Sequence, residues 1–151
     1  MSAESNEKEV LLKIELDTFS NAIAMDMGLR IVELARSRKQ AVAVEISRLN
    51  QSVFLYVEDG LPADKHNWLR RKANVAKYFE ESSLAVRHTL ERRQMSLENP
   101  FGLNENDYVA KGGSIPVFVK NAGLIATITV SGLRDFEDHD IIIEALQGKY
   151  L

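Results

Sequence analysis

At 151 residues the chain has the length of one ordinary domain and can bury a sizeable core. It is 45% hydrophobic and 27% charged, and no apolar run approaches the ~20 residues that cross a bilayer, so no membrane span is expected. No cysteine is present to form a disulfide, a thiolate nucleophile or a cysteine metal site, and a net charge of −3 gives no general attraction to nucleic acid. The polar, acidic start from Met1 to Glu9 is unlike a secretory signal, and a cytoplasmic location is expected.

Residues 1–17 read as a polar leader, with Val10 to Ile14 as a brief helix inside it, and 18–151 as a single domain. A helix capped near Thr18 or Ser20 follows and runs to about Lys39, with Ile23, Met27, Ile31 and Leu34 on one face. Gly28 lies in its middle, where close packing against another backbone explains a residue that costs ~1 kcal/mol relative to alanine. Ala41 to Leu49 alternates, Asn50-Gln51 turns, and Ser52 to Glu58 returns as the second strand of a hairpin. That return strand is apolar on both sides, which predicts cover on both faces, by helices or by a partner subunit.

Asp64 to Arg93 is the longest helical stretch, as one helix or two, with room for a kink near Glu80 to Ser82. Trp68, Lys72, Val75, Phe79, Ser83, Val86 and Leu90 fall on one stripe of it. Residues 95–110, with Pro100 and Gly102, read as a long loop, a length that is often functional or mobile. Ile115 to Val119 and Leu124 to Ser131 form a second hairpin, and a helix with an acidic first turn ends the chain. Two hairpins separated by helices enforce antiparallel pairing, so the expected class is α+β: an antiparallel sheet flanked by helices.

Two polar residues interrupt the apolar stripe. Lys72 must either carry its head to solvent or meet a partner, because burying an unpaired amine is very costly. Ser83 either bonds back to its own helix or faces a site. If functional, Lys72 binds an anionic group such as a carboxylate or phosphate, with Arg71 beside it. His139 shares a face with Ile142, Ile143 and Leu146 in the last helix. It reads as a neutral imidazole bonding the loop, with Asp135 or Asp138 as helix cap, or as a metal or haem ligand or proton carrier beside Lys72. His66 and His88 read as surface residues.

Other chemistries lack their patterns. The three histidines have no pair spacing, so no zinc site is expected. Gly112-Gly113 opens a strand rather than a helix, which makes it a tight turn and no phosphate loop, although bare amides there could face a ligand. Ser131-Gly132 has no Gly-x-Ser-x-Gly around it. The basic run from Arg70 to Lys77 has no interleaved stacking aromatics.

The chain resembles the haem-degrading domain family, with its HbpS-like and GlcG-like members and a branch of small cytosolic proteins. The likeness spans Phe19 to the C-terminus. It rests on Trp68 with Arg71-Lys72, Ser82-Ser83, Gly112-Gly113, Ile115-Pro116, Thr127 to Leu133, and Asp138-His139. It differs at Ser114, where a third glycine is usual, at Ile115, at Ala126 and at Arg134-Asp135. The resemblance implies a three-layer profilin-like sandwich that assembles as dimers or larger rings, and haem binding or degradation as the family activity.

The function expected is a homo-oligomeric small-ligand-binding protein with its pocket at Trp68, Arg71, Lys72, Ser83, Gly112, Gly113 and His139. Haem or another anionic small molecule is the expected ligand. The alternatives are an enzyme of oxidative haem breakdown or other proton transfer through His139 and Lys72, and an oligomeric scaffold presenting residues 95–110 to another protein.

Overall fold

Two short turns dictate most of the architecture, because each forces its flanking strands to pair antiparallel. The computed structural model describes residues 10–151. In chain order it has strand β1 (Ile14–Leu16), helix α1 (Asn21–Ser37), strands β2 (Ala43–Arg48) and β3 (Gln51–Val57), helices α2 (Lys65–Phe79) and α3 (Ser83–Arg93), strands β4 (Ser114–Val119) and β5 (Gly123–Ser131), and helix α4 (Asp135–Leu146). The strands form one five-stranded sheet in the order β1-β4-β5-β2-β3. Both hairpins form as expected, and β2 joins them by pairing antiparallel with β5. The first turn sits one residue earlier than expected, at Leu49-Asn50, with Leu49 in the left-handed region at φ 57°.

The brief helix expected at Val10 to Ile14 does not form. Ile14–Leu16 is instead a strand, paired parallel with β4, with Ile14 and Leu16 buried and Glu15 outward. The folded unit therefore begins inside the stretch read as a leader. Residues 1–9 lie outside the described part. Just ahead of β1, the carbonyl of Leu12 accepts from the amide of Ser82, at 2.7 Å.

Alternation along the strands gives the sheet two unlike faces. Val44, Ile46, Ile115, Val117, Ile128 and Val130 point to one side and form the main core with α1 and α4. The other side carries Glu45, Ser47, Ser114, Thr127, Thr129 and Ser131, and α2 lies across it with Leu69, Ala73 and Ala76 buried. The result is a three-layer α+β sandwich.

The long helical stretch is broken, not kinked. Glu80 takes the left-handed conformation at φ 57°, and the Ser82 hydroxyl caps α3 by accepting from the amide of Ala85. The stripe is consequently divided. Val75, Phe79, Val86 and Leu90 pack under residues 95–110 in a small second core with Phe101 and Tyr108, while Lys72 and Ser83 turn to the sheet. The loop is tied to α2: Arg70 pairs with Asp107 at 2.9 Å, and Asn74 donates to the Asp107 carbonyl at 2.8 Å.

Two packing expectations need correction. Among the described residues β3 is covered on one face only, by α1, so helices do not supply the second cover; Leu55 and Val57 on that other face are 54% and 43% exposed. Gly28 is required by an aromatic ring rather than a backbone, since a Cβ there would strike Phe54 of β3.

Candidate functional site

The chemistry gathers where β4 begins and β5 ends. Lys72, on α2, is 2% exposed, yet no solvent-seeking head is needed. Its ammonium donates to Asp138 Oδ2 at 2.9 Å and to the Val130 carbonyl at 3.0 Å. Asp138 sits in the first turn of α4, on the opposite side of the sheet, and its Oδ1 accepts from the amide of Leu133 at 2.9 Å. The pair therefore bridges the two helical layers around the end of the sheet.

Gly113 leaves the opening for that bridge. At φ +127° it adopts a backbone that side chains rarely take, and a Cβ there would lie 2.9 Å from Lys72 Nζ and 3.0 Å from Asp138 Cβ. Gly112 is equally confined, by the Asp135 carbonyl and by Leu84. Ser83 serves the same junction from α3. Its hydroxyl accepts from the Ser114 amide at 3.0 Å, and the Ser114 hydroxyl bonds Thr129 at 2.9 Å. Ser83 thus bonds β4 and not its own helix.

Above the Lys72–Asp138 pair lies a cleft of about 470 Å³, within the usual size of small-ligand sites. It is lined by Lys65, Trp68, Lys72, Arg87, Lys111, Ser131, Gly132, Leu133, Arg134, Asp135, Phe136 and Asp138. Lys72 pairs with Asp138, and Arg87 with Asp135. Lys65, Lys111 and Arg134 form no ion pair among the described residues, so the lining carries surplus positive charge. Trp68 forms part of the wall, its indole N–H on Asp64 Oδ2 at 3.1 Å, with the Arg71 guanidinium 5.3 Å from its ring centre.

Of the residues expected to make a pocket, Trp68 and Lys72 line the cleft. Gly113 and Ser83 lie behind it, in the junction that holds the floor. Arg71 reaches it only through the Trp68 ring. His139 is not in the lining. It is 2% exposed, and neither ring nitrogen has a hydrogen-bond partner among the described residues, so the expected bond to the loop is absent. His88, expected on the surface, is partly buried, with its Nδ1 also unpartnered. Sequence reading names Asp138 as a helix cap and a family landmark but not as a site residue, and assigns Lys65, Lys111 and Arg134 to no site. Their common signal, a cluster of cations, is scattered across three segments and appears only on folding.

The sequence comparison matches residues 19–147 to the family described as haem degrading protein HbpS-like. The chain belongs to this HbpS-like family. Among relatives, a UPF0303 protein of Yersinia pestis (strain Pestoides F) is 34% identical over 134 residues, covering 89% of this chain and 78% of that protein. The crystal structure of Ybr137w superposes with a TM-score of 0.78 at 27% identity, over 95% of this chain and 83% of that one. A PduOC:haem complex superposes with a TM-score of 0.72 at 17% identity, over 85% of this chain and 93% of the other, a likeness of fold. No helix among the described residues is long and apolar enough to cross a membrane.

Neighbouring residues at the junction titrate in opposite senses. Burial pushes the Asp138 carboxyl up to about 6, opposed by the Lys72 charge and its hydrogen bond. Burial also lowers His139 to about 4, with His88 adding to the effect. An acid with a raised folded pKa stabilises the fold fully below its unfolded value of 3.8, and this is lost as pH rises through about 6. An imidazole with a lowered folded pKa does the reverse: its contribution is present above 6.5 and lost as pH falls through about 4. The two oppose each other over one pH window. Relative to the parent chain, Asp138→Asn should therefore lose urea stability as pH falls from 6.5 toward 4, and His139→Gln should gain it. Parallel pH profiles for the parent and both variants would refute the assignment.

Proposed function

We propose that this chain is a homo-oligomeric small-ligand-binding protein that holds an anionic small molecule in the cleft above Lys72 and Asp138. The observation that carries this reading is the charge of the lining: five cationic side chains against two carboxylates, both already paired. Lys65, Lys111 and Arg134 come from three separate segments and are left to attract a carboxylate or phosphate. Trp68 and Phe136 add apolar wall for the rest of the ligand.

Membership of a family described as haem degrading, and a fold neighbour solved with haem, make haem the first candidate to test. The lining fits haem only in part. Its cations suit the propionates, but it offers no imidazole, thiolate or thioether to the iron. His139, the ligand expected from the sequence, lies outside the cleft. A smaller anion suits these residues better than an iron-ligated porphyrin.

The enzyme reading through His139 and Lys72 loses its geometry, since no hydrogen bond joins them. The scaffold reading rests only on the 95–110 loop, which is engaged with α2.

Trp68 is the only tryptophan, so its fluorescence reports on the cleft directly. Titration with phosphate, with short carboxylates and with hemin should give saturable quenching by at least one of them. Lys111→Glu should weaken that binding by roughly fivefold or more. Hemin should give no Soret band that His139→Ala abolishes. Absence of saturable quenching by every anion would refute the cleft as an anion site. For assembly, the uncovered face of β3, with Leu55 and Val57, is the surface proposed for contact between copies. Light scattering at micromolar concentration should find a dimer or larger, and Leu55→Glu should shift it to monomer. A parent chain that is already monomeric would overturn that proposal.

A further inference from the structure

We propose that Lys72 is a nucleophile, and that the anion held in the cleft is a carbonyl compound of the 2-oxo acid class, which Lys72 captures as an imine. This rests on the reading of the cleft as an anion site and adds chemistry to it. The geometry is that of an activated nucleophile: an amine within hydrogen-bond reach of a base, with the base oriented by a third group. Lys72 Nζ lies 2.9 Å from Asp138 Oδ2, and the Leu133 amide holds Asp138 Oδ1 at 2.9 Å. The same carboxylate thus has one oxygen fixed by backbone and the other facing the amine.

The surroundings favour the neutral, reactive amine. Lys72 is buried, and burial together with the charges of Lys65 and Lys111 lowers its pKa, while Asp138 opposes this. Burial drives the Asp138 carboxyl in the complementary direction, upward. A proton on the pair is therefore shared more evenly than between an ordinary ammonium and carboxylate. Lys65, Lys111 and Arg134 stand in the same lining, where a substrate carboxylate would be held while its neighbouring carbonyl faces the floor. A purely structural ion pair has no need of three cations above it that form no ion pair among the described residues.

The step balances without any oxidant or reductant. The ammonium first passes one proton to Asp138. The free amine pair then attacks the carbonyl carbon, and the carbonyl π pair moves to oxygen. A proton shifts from nitrogen to that oxygen, giving a carbinolamine. Asp138 returns its proton to the hydroxyl, the C–O bond breaks, water leaves, and the nitrogen pair closes the C=N bond. The product is a protonated imine whose positive charge remains beside the Asp138 carboxylate.

The experiment is reductive trapping on the whole folded chain. Protein is incubated with pyruvate and sodium cyanoborohydride, then mapped by peptide mass spectrometry, with Trp68 fluorescence followed in parallel. The expected result is a single carboxyethyl group, predominantly on Lys72, formed at least tenfold faster than on any other lysine. Lactate, which has the carboxylate but no reactive carbonyl, should slow it by competition. Asp138→Asn, checked as folded by far-UV circular dichroism, should slow trapping at Lys72 at least tenfold, and a folded variant trapped at the parent rate overturns Asp138 as the base. Saturable quenching by pyruvate with no adduct at Lys72, or with adducts spread over surface lysines, overturns the imine and leaves the anion site standing. No quenching by pyruvate or lactate, with no adduct at Lys72, overturns both for this class of ligand.

Discussion

A lysine ammonium removed from water is costly unless a carboxylate and further acceptors meet it, and in this chain those acceptors come from distant parts of the fold. Lys72 reaches one way to Asp138 at the head of α4 and another to the Val130 carbonyl at the end of β5. The bridge closes only because Gly113 puts no side chain between them. Helical layers on opposite faces of the sheet are thereby linked at one point. Ser83, Ser114 and Thr129 continue the polar junction beneath it, where an apolar core would otherwise lie. Such a network gives little net stability for its polarity, but it is strongly destabilised when one member is missing.

That constraint explains why the cleft lies where it does. The paired charges form a floor that is nearly dry, and the walls come from the start of α2, from Lys111 ahead of β4, and from the turn into α4. Their cations find no carboxylate of their own among the described residues, so the lining keeps a positive field over a fixed, buried pair. Membership of the HbpS-like family accounts for the fold. The ligand must be argued from these side chains, because the neighbour solved with haem shares the fold at only 17% identity.

Much of the fold could be read from local signals. Both hairpins and the amphipathic α1 and α4 follow from alternation, helical spacing and turn residues, which act within a few positions of each other. β1 escaped because three residues are too few to show a period, and a parallel partner a hundred residues away leaves no local mark. The division between α2 and α3 was visible only as a tolerated kink, since Ser82 as a cap and Glu80 in a left-handed turn are individually ordinary. At the site, Lys72 stood out as a charge on an apolar stripe. Asp138 did not, because an acid in a helix's first turn already has a sufficient explanation in the helix dipole. His139 attracted attention by its type, and its burial away from the cleft is a matter of α4's rotation, which the sequence could not fix.

The central claim is that Lys72 and Asp138 are coupled, so that the fold tolerates neither without the other, and a double-mutant cycle tests it most directly. Urea unfolding of Lys72→Met, Asp138→Leu and the double variant, at neutral pH, yields the coupling between them. Each single change should cost about 3–5 kcal/mol, because it strands a buried charge, and the double variant should recover at least ~2 kcal/mol of the summed loss. Strictly additive losses, or single variants as stable as the parent chain, would contradict the account.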